Sequence, residues 1–294
     1  MSKIQNMQDV VVGYQGVWGS YSSEAAAKYF GNQQNFKNFA KFEDVFRAVE
    51  GGEIAFGVIP LENSYAGRVA EIHNLFPLYN LYIIGEVILP IRHKLLAKTG
   101  ARLENIKTIY SHEQAHMQCS KSIEATFAAK LNNAPELTNF ANTALAAKYV
   151  AEGEDFSVAA IASGFAQQIY NLHSLVDDFA DSKTNHTTFV VLAREADFST
   201  QQERSITSVM FTVRNIPGAI YKAIGGFATN GVDLLKLESY IPGGICSSAA
   251  QFFLSFRGHI NQPNVRLAME ELGFFAASTK LLGCYKHDAL RSKV

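Results

Sequence analysis

Short apolar strands alternate with amphipathic helical segments through the first two thirds of the chain, and this order constrains the fold most strongly. A buried strand is predicted at 9–14, followed by a helix at 22–30 that a serine caps. A second helix at 42–49 ends at a double glycine, and the next strand, at 54–59, ends at Pro60. Such alternation predicts an α/β body with largely parallel sheets and helices on both faces.

The alternation continues to about residue 192, where short apolar runs are bounded by polar residues. Strands are predicted at 108–110, 137–140, 158–162 and 188–192, a strand pair at 82–91 and 95–97, and helices at 111–129, 143–152 and 163–170. We expect this body to consist of two lobes.

The pattern changes after a polar segment of mixed charge, which is typical of a linker. Strands are then predicted at 205–213, 232–240, 249–256 and 276–285, and helices at 219–230 and 261–272. The order β-α-β-β-α-β is that of a ferredoxin-like unit. We therefore predict a body at 8–194, a linker at 195–204 and a small α+β domain at 205–287.

Composition excludes several classes of protein. Lys and Arg number 26 and Asp and Glu number 27, so the basic surplus of a nucleic-acid binder is missing. The three cysteines Cys119, Cys246 and Cys284 are widely spaced, which favours neither a disulfide framework nor a metal clip. No signal peptide is recognisable, and no window of ~18 uninterrupted apolar residues could span a membrane. These features predict a reduced, soluble, cytoplasmic protein.

Polar residues follow four of the predicted strands, at the sheet edge where open α/β folds bind ligands. They occupy 16–22, 60–68, 110–119 and 181–189. The glycines and hydroxyls of the first, followed by a helix N-terminus, suit an anion, although they also suit an ordinary strand-to-helix turn. The second offers a carboxylate, an amide and a hydroxyl, which could hold a polar substrate or cap a helix. The fourth could equally be a polar loop that caps backbone groups.

The third segment contains His112-Glu113-Gln114-Ala115-His116, which fits the zinc-protease pattern H-E-x-x-H. Glu113 would be the general base, and Glu136 could be a third ligand. The match falls in the first turn after a strand, so a zinc hydrolase is a weak alternative. His73, His93 and His173 are predicted to be packed or exposed rather than ligands.

Taken in order, the four segments resemble the motifs of the prephenate dehydratases. The motifs are G-x-x-G-[ST]-[FY]-[ST] at 16–22, P-[IL]-E-N-[ST] at 60–64, S-H-x-Q-x-x-x-Q-C at 111–119 and N-x-T-R-F at 185–189, with two further family segments at 142–144 and 159–163. Thr188 stands where the family has arginine, and Arg68, Lys183 and Arg92 are candidate replacement cations. No chorismate mutase segment is recognised before the body, so the resemblance is to the monofunctional form.

This resemblance implies a two-lobed body like that of type II periplasmic binding proteins. It also implies the decarboxylating dehydration of prephenate to phenylpyruvate, with no cofactor and no metal. Thr187 would donate a hydrogen bond to the departing hydroxyl. The implied substrate-binding residues are Ser20, Tyr21, Ser22, Glu62, Asn63, Ser64, Ser111, Gln114, Gln118, Asn142, Thr143 and Phe189.

The C-terminal unit resembles an ACT domain, a regulatory unit that binds amino acids. The segment 215–220 matches N-x-P-G-A-L, and 237–239 matches the start of I-E-S-R-P, with Tyr240-Ile241 in place of Arg-Pro. The resemblance implies phenylalanine as an allosteric effector and a homodimer or homotetramer. The implied effector residues are Asn215, Pro217, Gly218, Ala219, Ile220, Leu237, Glu238 and Ser239.

Two other hypotheses stay open at this point. Arogenate, which carries an amino group where prephenate has a keto group, is an alternative substrate. A two-lobed regulator that binds small anions and has lost catalysis is an alternative of another class, and the Thr188 departure is the feature that favours it.

Overall fold

The computed structural model describes residues 10–128, 134–199, 204–214, 216–240 and 250–293. The chain forms two compact units. Three strands, at 56–63, 82–90 and 186–193, contribute residues to both units. Unit 1 comprises Met1–Lys41, Glu62–Arg68 and Leu89–Phe189, and unit 2 comprises Phe42–Leu61, Val69–Ile88 and Val190–Val294. Within the described ranges, no helix combines the length and apolar character needed to cross a membrane.

The elements alternate in the predicted manner. The strands are β1 (Val11–Gln15), β2 (Asn35–Phe39), β3 (Phe56–Asn63), β4 (Gly67–Arg68), β5 (Tyr82–Pro90), β6 (His93–Ala97), β7 (Thr108–Ser111), β8 (Glu136–Asn139), β9 (Val158–Ser163), β10 (His173–Val176), β11 (His186–Ala193), β12 (Ser205–Val213), β13 (Leu234–Tyr240), β14 (Gln251–Arg257) and β15 (Ala276–Lys286). The helices are α1 (Tyr21–Phe30), α2 (Phe42–Glu50), α3 (Ala70–Leu75), α4 (Glu113–Gln118), α5 (Ser120–Phe127), α6 (Thr143–Glu152), α7 (Gly164–Ile169), α8 (Ala219–Thr229) and α9 (Pro263–Phe275), with short 3₁₀ helices at Leu103–Asn105 and Ala289–Lys293.

The sheets confirm an α/β fold, but they are more mixed than predicted. A five-stranded sheet in unit 1 has the order β10-β6-β9-β7-β8. In it β7 runs parallel to β8 and β9, whereas β6 runs antiparallel to β9 and β10. Alternation predicts direction for strands that a helical crossover connects. It does not predict how β6 pairs with strands that come much later in the chain.

The predicted pair at 82–91 and 95–97 was wrong, because the two strands belong to different sheets. β5 lies in a six-stranded sheet of order β2-β1-β3-β11-β5, with β4 paired to β3, whereas β6 lies in the five-stranded sheet. The backbone N–H of Ile91, in the short connection between them, donates to Asn185 O at 2.8 Å. Two apolar runs with a short break therefore indicate two strands without indicating that they pair.

Pro60 does not end its strand, as was predicted. β3 continues to Asn63, where Glu62 and Asn63 pair with Arg68 and Gly67 of β4. Proline removes one donor from a sheet but its fixed φ is compatible with extended backbone, so the strand passes through it.

The predicted helix at 111–129 is two helices, because a distant carboxylate caps a second start. Asp181 accepts hydrogen bonds from the backbone N–H groups of Lys121 at 3.1 Å and Ser122 at 2.9 Å. Burial raises the pKa of Asp181, but these hydrogen bonds outweigh burial and lower it overall. A cap supplied from 60 residues away cannot be found from local sequence.

The C-terminal part of unit 2 confirms the ferredoxin-like prediction. Its antiparallel sheet has the order β13-β14-β12-β15. Helices α8 and α9 share one apolar core with it, which includes Phe211, Phe227 and Leu254. The core residues alternate along the strands, as a sheet with one helix-covered face requires.

The other face of this sheet contacts α3 and the residues after it, also within unit 2. The Phe253 ring lies 5.1 Å from the His73 ring and 6.2 Å from Phe76, centroid to centroid. Lys280 Nζ donates to the carbonyl oxygens of Phe76 and Tyr79 at 2.8 and 2.6 Å. Burial lowers the pKa of Lys280. The sheet is therefore covered on both faces.

Candidate active site

The hairpin between β3 and β4 fixes the amide of Asn63. Its Oδ1 accepts the backbone N–H groups of Tyr65 at 3.0 Å and Ala66 at 2.9 Å. Gly67 closes the turn with φ of 79°, a conformation that favours glycine. Because Oδ1 is held by backbone donors, the orientation of the amide is set, and Nδ2 must be the group that points away from the turn.

The donor end of Asn63 meets the start of β11. Nδ2 lies 2.8 Å from Asn185 Oδ1, 3.1 Å from His186 O and 3.0 Å from Thr187 Oγ1. Thr187 is 8% exposed, and its oxygen is the acceptor in this bond. Within the described residues its hydroxyl makes no other hydrogen bond, so its own hydrogen is available to a ligand.

Asn185 accepts a hydrogen bond from Asn63 and donates one to Gln118. Its Oδ1 accepts from Asn63 and from the Ser64 hydroxyl, so its Nδ2 donates to Gln118 Oε1 at 3.1 Å. Both hydrogen bonds of the Gln118 side chain to described residues run through Oε1. Its Nε2 therefore keeps two hydrogens for a ligand. Gln118 and Asn185 line a pocket together with Tyr65 and with Asp181, whose carboxylate accepts the backbone N–H groups at the start of α5.

His93 is the last residue in this series of hydrogen bonds, and burial keeps its imidazole ring neutral. His93 is 3% exposed, and its Nε2 lies 3.0 Å from Gln118 Oε1. Burial lowers its pKa to about 4, against an opposing contribution from the Gln118 bond. The hydroxyl of Tyr21 lies 3.3 Å from His93 Nδ1 and 3.2 Å from Arg92 O. Burial raises the pKa of Tyr21 well above its usual value, so this group is uncharged too.

A second cluster of polar groups lies where two helices begin. Ser20 caps α1 by accepting from Ser23 N at 3.3 Å, and Asn142 caps α6 by accepting from Leu145 N at 2.8 Å. A Cβ on Gly16, whose φ is 100°, would lie 3.4 Å from Ser20 Oγ and 3.9 Å from Asn142 Nδ2. The glycine thus leaves room between two helix N-termini, whose free N–H groups favour an anion.

The other predicted site residues form none of the hydrogen bonds that define these two clusters. Ser111 is fully buried and its hydroxyl donates to Ile161 O at 2.7 Å. Phe189 is 2% exposed. Ser22 is buried in α1, Gln114 and Thr143 are partly buried near helix starts, and Glu62 lies opposite Arg68 in the hairpin.

Thr188 is 2% exposed, and as a neighbour of Thr187 in β11 it faces the opposite side of the strand. The three candidate replacement cations, Arg68, Lys183 and Arg92, are all exposed.

The residues of the zinc pattern make other contacts. His112 precedes α4 and its Nδ1 accepts from Gln114 N at 3.2 Å. His116 is buried, with Nε2 3.3 Å from Thr138 O. Among the residues that the structure describes, no three His, Cys, Asp or Glu side chains are grouped to hold a metal. Cys119 and Cys284 are free and buried, and Cys246 lies outside the described residues.

Comparison with known proteins now decides the family. The sequence model of the prephenate dehydratase domain matches residues 12–197. The chain is 34% identical to a bifunctional chorismate mutase/prephenate dehydratase of Stutzerimonas stutzeri, over 96% of this chain and 75% of that protein.

This chain belongs to the prephenate dehydratase family.

Other members differ in their named activities. An arogenate dehydratase/prephenate dehydratase of Arabidopsis thaliana is 32% identical, over 96% of this chain and 73% of that protein. The solved structure described as "GqqA- a novel type of quorum quenching acylases" has a TM-score of 0.85 at 32% identity, covering 96% of this chain and 99% of that one. A prephenate dehydratase of Arthrobacter aurescens in complex with L-Phe also has a TM-score of 0.85; at 24% identity, over 94% of this chain and 90% of that one, it shows that the fold is shared.

The predicted effector residues lie on two elements of unit 2. Gly218 precedes α8 with φ of 72°, and no side chain caps this helix. Leu237 and Glu238 lie in β13, an edge strand of the sheet. The Nζ atom of Lys236, in the same strand, lies 3.0 Å from Glu238 Oε1. Pro217, Ala219, Ile220 and Ser239 flank these positions, and Asn215 and Ile241 lie outside the described residues.

Three groups near Thr187 and Tyr21 are missing from the site residues that the sequence predicts, namely Asn185, His93 and Glu24. His93 is predicted as a bystander, because a single histidine beside an apolar run gives no sign of a polar partner. Glu24 in α1 has no predicted role, although burial raises its pKa to about 7 and it interacts electrostatically with Tyr21. Its only sequence signal is its place in the first helical turn.

Proposed function

We propose that the chain is a carbon–oxygen lyase that converts prephenate to phenylpyruvate, carbon dioxide and water. The observation that carries this proposal is the hydroxyl of Thr187. Its oxygen accepts from Asn63, and its hydrogen is available in a site of uncharged donors. This is the donor that a departing hydroxyl group needs.

The reaction requires little acid–base power because it forms an aromatic ring. The bond between the ring carbon and its carboxylate breaks, and the electron pair moves into the ring. The carbon–oxygen bond on the opposite ring carbon breaks, and the oxygen takes up one proton from solvent and leaves as water. Thr187 would hydrogen-bond this oxygen while charge develops on it. One such preorganised donor typically contributes ~10²–10³ in rate.

The uncharged surroundings of Thr187 suit the loss of a carboxylate. A cation beside the ring carboxylate would stabilise the ground state, in which the charge is localised, more than the transition state. His93 and Tyr21 are neutral, and Asn63, Gln118 and Asn185 are amides. Gln118 would offer its free donor to the substrate, and the other groups would hold Gln118 and Thr187 in place without a strong field on the departing carboxylate.

The side-chain carboxylate of the substrate can be held at the cluster where α1 and α6 begin. Ser20 and Asn142 are hydrogen-bonded caps there, and Gly16 leaves the space between them open. Helix N-termini attract negative charge. Ser22 and Thr143 are proposed to complete this part of the site, whereas Glu62, next to Asn63 in the hairpin, is proposed to orient the substrate.

Phenylalanine is proposed to inhibit the enzyme through the domain at 205–287, which a linker at 195–204 joins to the catalytic domain at 8–194. The uncapped start of α8 after Gly218 offers N–H groups to an amino-acid carboxylate. Glu238 offers a negative charge to the ammonium group. Inhibition follows if phenylalanine prefers an inactive arrangement of the protein.

The direct test is the purified protein with prephenate and arogenate in parallel, measured as the absorbance of phenylpyruvate and the chromatographic yield of phenylalanine. Turnover of prephenate well above its spontaneous decay is expected. Faster turnover of arogenate would make the chain an arogenate dehydratase, the activity named for the Arabidopsis relative. Binding of either compound without turnover would favour the silent regulator.

The regulatory proposal has its own measurement. The prephenate assay is repeated with added phenylalanine, and binding is measured by calorimetry for the wild type and Glu238→Gln. Inhibition of the wild type and weaker binding by the variant are expected. Unchanged kinetics and no heat of binding would refute the regulatory role. The homodimer or homotetramer stays a prediction that sedimentation analysis can check.

A further inference from the structure

The hydrogen bonds around Thr187 have one direction, which the backbone sets. The N–H groups of Tyr65 and Ala66 hold Asn63 Oδ1, so Asn63 must donate to Asn185 Oδ1. Asn185 must then donate through Nδ2, and Gln118 must accept through Oε1. Each amide has one acceptor end and one donor end, so fixing the first fixes the rest.

This direction determines the tautomer of His93. Gln118 Oε1 can only accept, so His93 Nε2, 3.0 Å away, must carry the ring hydrogen. Nδ1 is then bare, and the single hydrogen of the Tyr21 hydroxyl lies between two acceptors, Nδ1 at 3.3 Å and Arg92 O at 3.2 Å. The opposite tautomer would set the Nε2 lone pair against the oxygen of Gln118, a mismatch that is costly in a buried site.

We propose, on the basis of the proposed function, that His93 is a positioning residue that acts through Gln118. Its Nε2–H is the second donor to Gln118 Oε1 and restrains the rotation that a single hydrogen bond from Asn185 would allow. The Gln118 Nε2 group is thereby held towards the pocket that Gln118 lines with Asn185 and Tyr65. His93 itself touches no substrate.

Without His93, the donor from Asn185 would remain and still prevent a flip, but the Gln118 amide could swing about that single hydrogen bond. A displaced amide would aim its two hydrogens away from the substrate. Small errors of position in a site of this kind can cost up to ~10²-fold in rate. The loss is expected in kcat/KM, since both bound substrate and transition state use the Gln118 donor.

The test compares His93→Gln with His93→Asn. The Gln amide nitrogen reaches the position of Nε2 and can donate to Gln118, whereas the shorter Asn amide reaches the position of Nδ1 and cannot. We expect His93→Gln to stay within about threefold of the wild type and His93→Asn to lose ~10–100-fold in kcat/KM. Equal losses in both variants, or full activity of His93→Asn, would overturn the proposal.

A spectroscopic measurement on the wild type decides the geometry independently of activity. Nitrogen-15 shifts of the His93 ring should show a hydrogen on Nε2 and none on Nδ1 at neutral pH. A hydrogen on Nδ1 alone would overturn the proposal even if the variants did not fold. Absence of wild-type turnover would refute the proposed function instead, while the His93 tautomer would still report on the contact with Gln118.

Discussion

The buried polar groups of unit 1 around Thr187 differ in kind from those that hold the C-terminal end of unit 2. Around Thr187 they are amides, hydroxyls and a neutral imidazole. In unit 2, Glu86 is 1% exposed at its side chain and forms a two-pronged ion pair with Arg291, at 2.8 and 2.9 Å.

The difference teaches what each arrangement is suited to do. An ion pair with two parallel hydrogen bonds fixes a chain segment strongly, and Asp288 N adds a further bond to Glu86. Neutral groups bind less strongly but impose hydrogen-bond direction without a large field. A site that must release carbon dioxide from a carboxylate benefits from the second arrangement.

The largest effect is expected from removing the hydroxyl donor of Thr187 in the uncharged region. Thr187→Val keeps the shape of the side chain and removes the hydroxyl, so turnover of prephenate should fall by ~10²–10³. Thr187→Ser, which keeps the hydroxyl, is the matched control and should retain most activity. A valine variant with near-normal kcat and an unchanged melting temperature would remove Thr187 from the mechanism.

The next prediction reverses the hydrogen bond between Asn63 and Thr187 by introducing a charge into the uncharged region. Asn63→Asp turns the donor at Nδ2 into an acceptor, so the Thr187 hydroxyl would donate to the introduced carboxylate rather than to the substrate. We expect a loss of about 10² in kcat, measured by phenylpyruvate formation. Asn63→Ala, which frees the hydroxyl without reversing it, should lose less. The opposite ranking would show that bond direction is not what matters.

The third prediction concerns the ion pair of Glu86 and Arg291 in unit 2. A substitution there should leave the active site unchanged. Glu86→Gln removes the charge opposite Arg291 and is expected to lower the free energy of unfolding by roughly 3 kcal/mol. Basal kcat of the folded protein should not change. Arg47→Ala, in an exposed pair with Glu43, is the control and should cost at most about 1 kcal/mol. Equal effects of the two substitutions in denaturant titrations would contradict this contrast.

The last prediction concerns the pH dependence of stability and the carboxyl group of Glu24, which burial has placed beside the uncharged region. Burial raises its pKa to about 7, above its usual value, so the folded protein holds this proton more tightly than the unfolded chain. Stability should therefore fall as pH rises from about 4.5 through about 7, and then level off. Glu24→Gln should remove that decline.

Melting temperatures of wild type and Glu24→Gln across this pH range provide the check. The two proteins should be similar at the acidic end, and the variant should be the more stable one at the alkaline end. Parallel curves would mean that the Glu24 carboxyl group titrates normally in the folded protein.

The sequence predicted those elements whose signals are local. The helix at 143–152 and the strand at 205–213 have the observed bounds, because Asn142 caps the first and an apolar run defines the second. The strand β2 was not predicted, since its residues alternate little and are mostly exposed. The helix break near Cys119 depends on Asp181, which is distant in sequence.

The candidate site divides in the same way. Motif resemblance supplied Asn63, Gln118 and Thr187; in the structure Asn63 donates to Thr187, and Asn185 joins Asn63 to Gln118. The direction of their hydrogen bonds depends on which backbone groups hold Asn63, and no residue pattern contains that information. His93 enters the site for the same reason, through a contact that only the folded chain creates.

The account depends most on the claim that Asn63 acts by making the Thr187 hydroxyl a donor. A double-mutant cycle with Asn63→Ala and Thr187→Val, measured as kcat with prephenate, tests it directly. If the claim holds, the double variant will lose clearly less than the product of the two separate losses, because Asn63→Ala can then act only through Asn185 and Gln118. Multiplication of the two separate losses would contradict it.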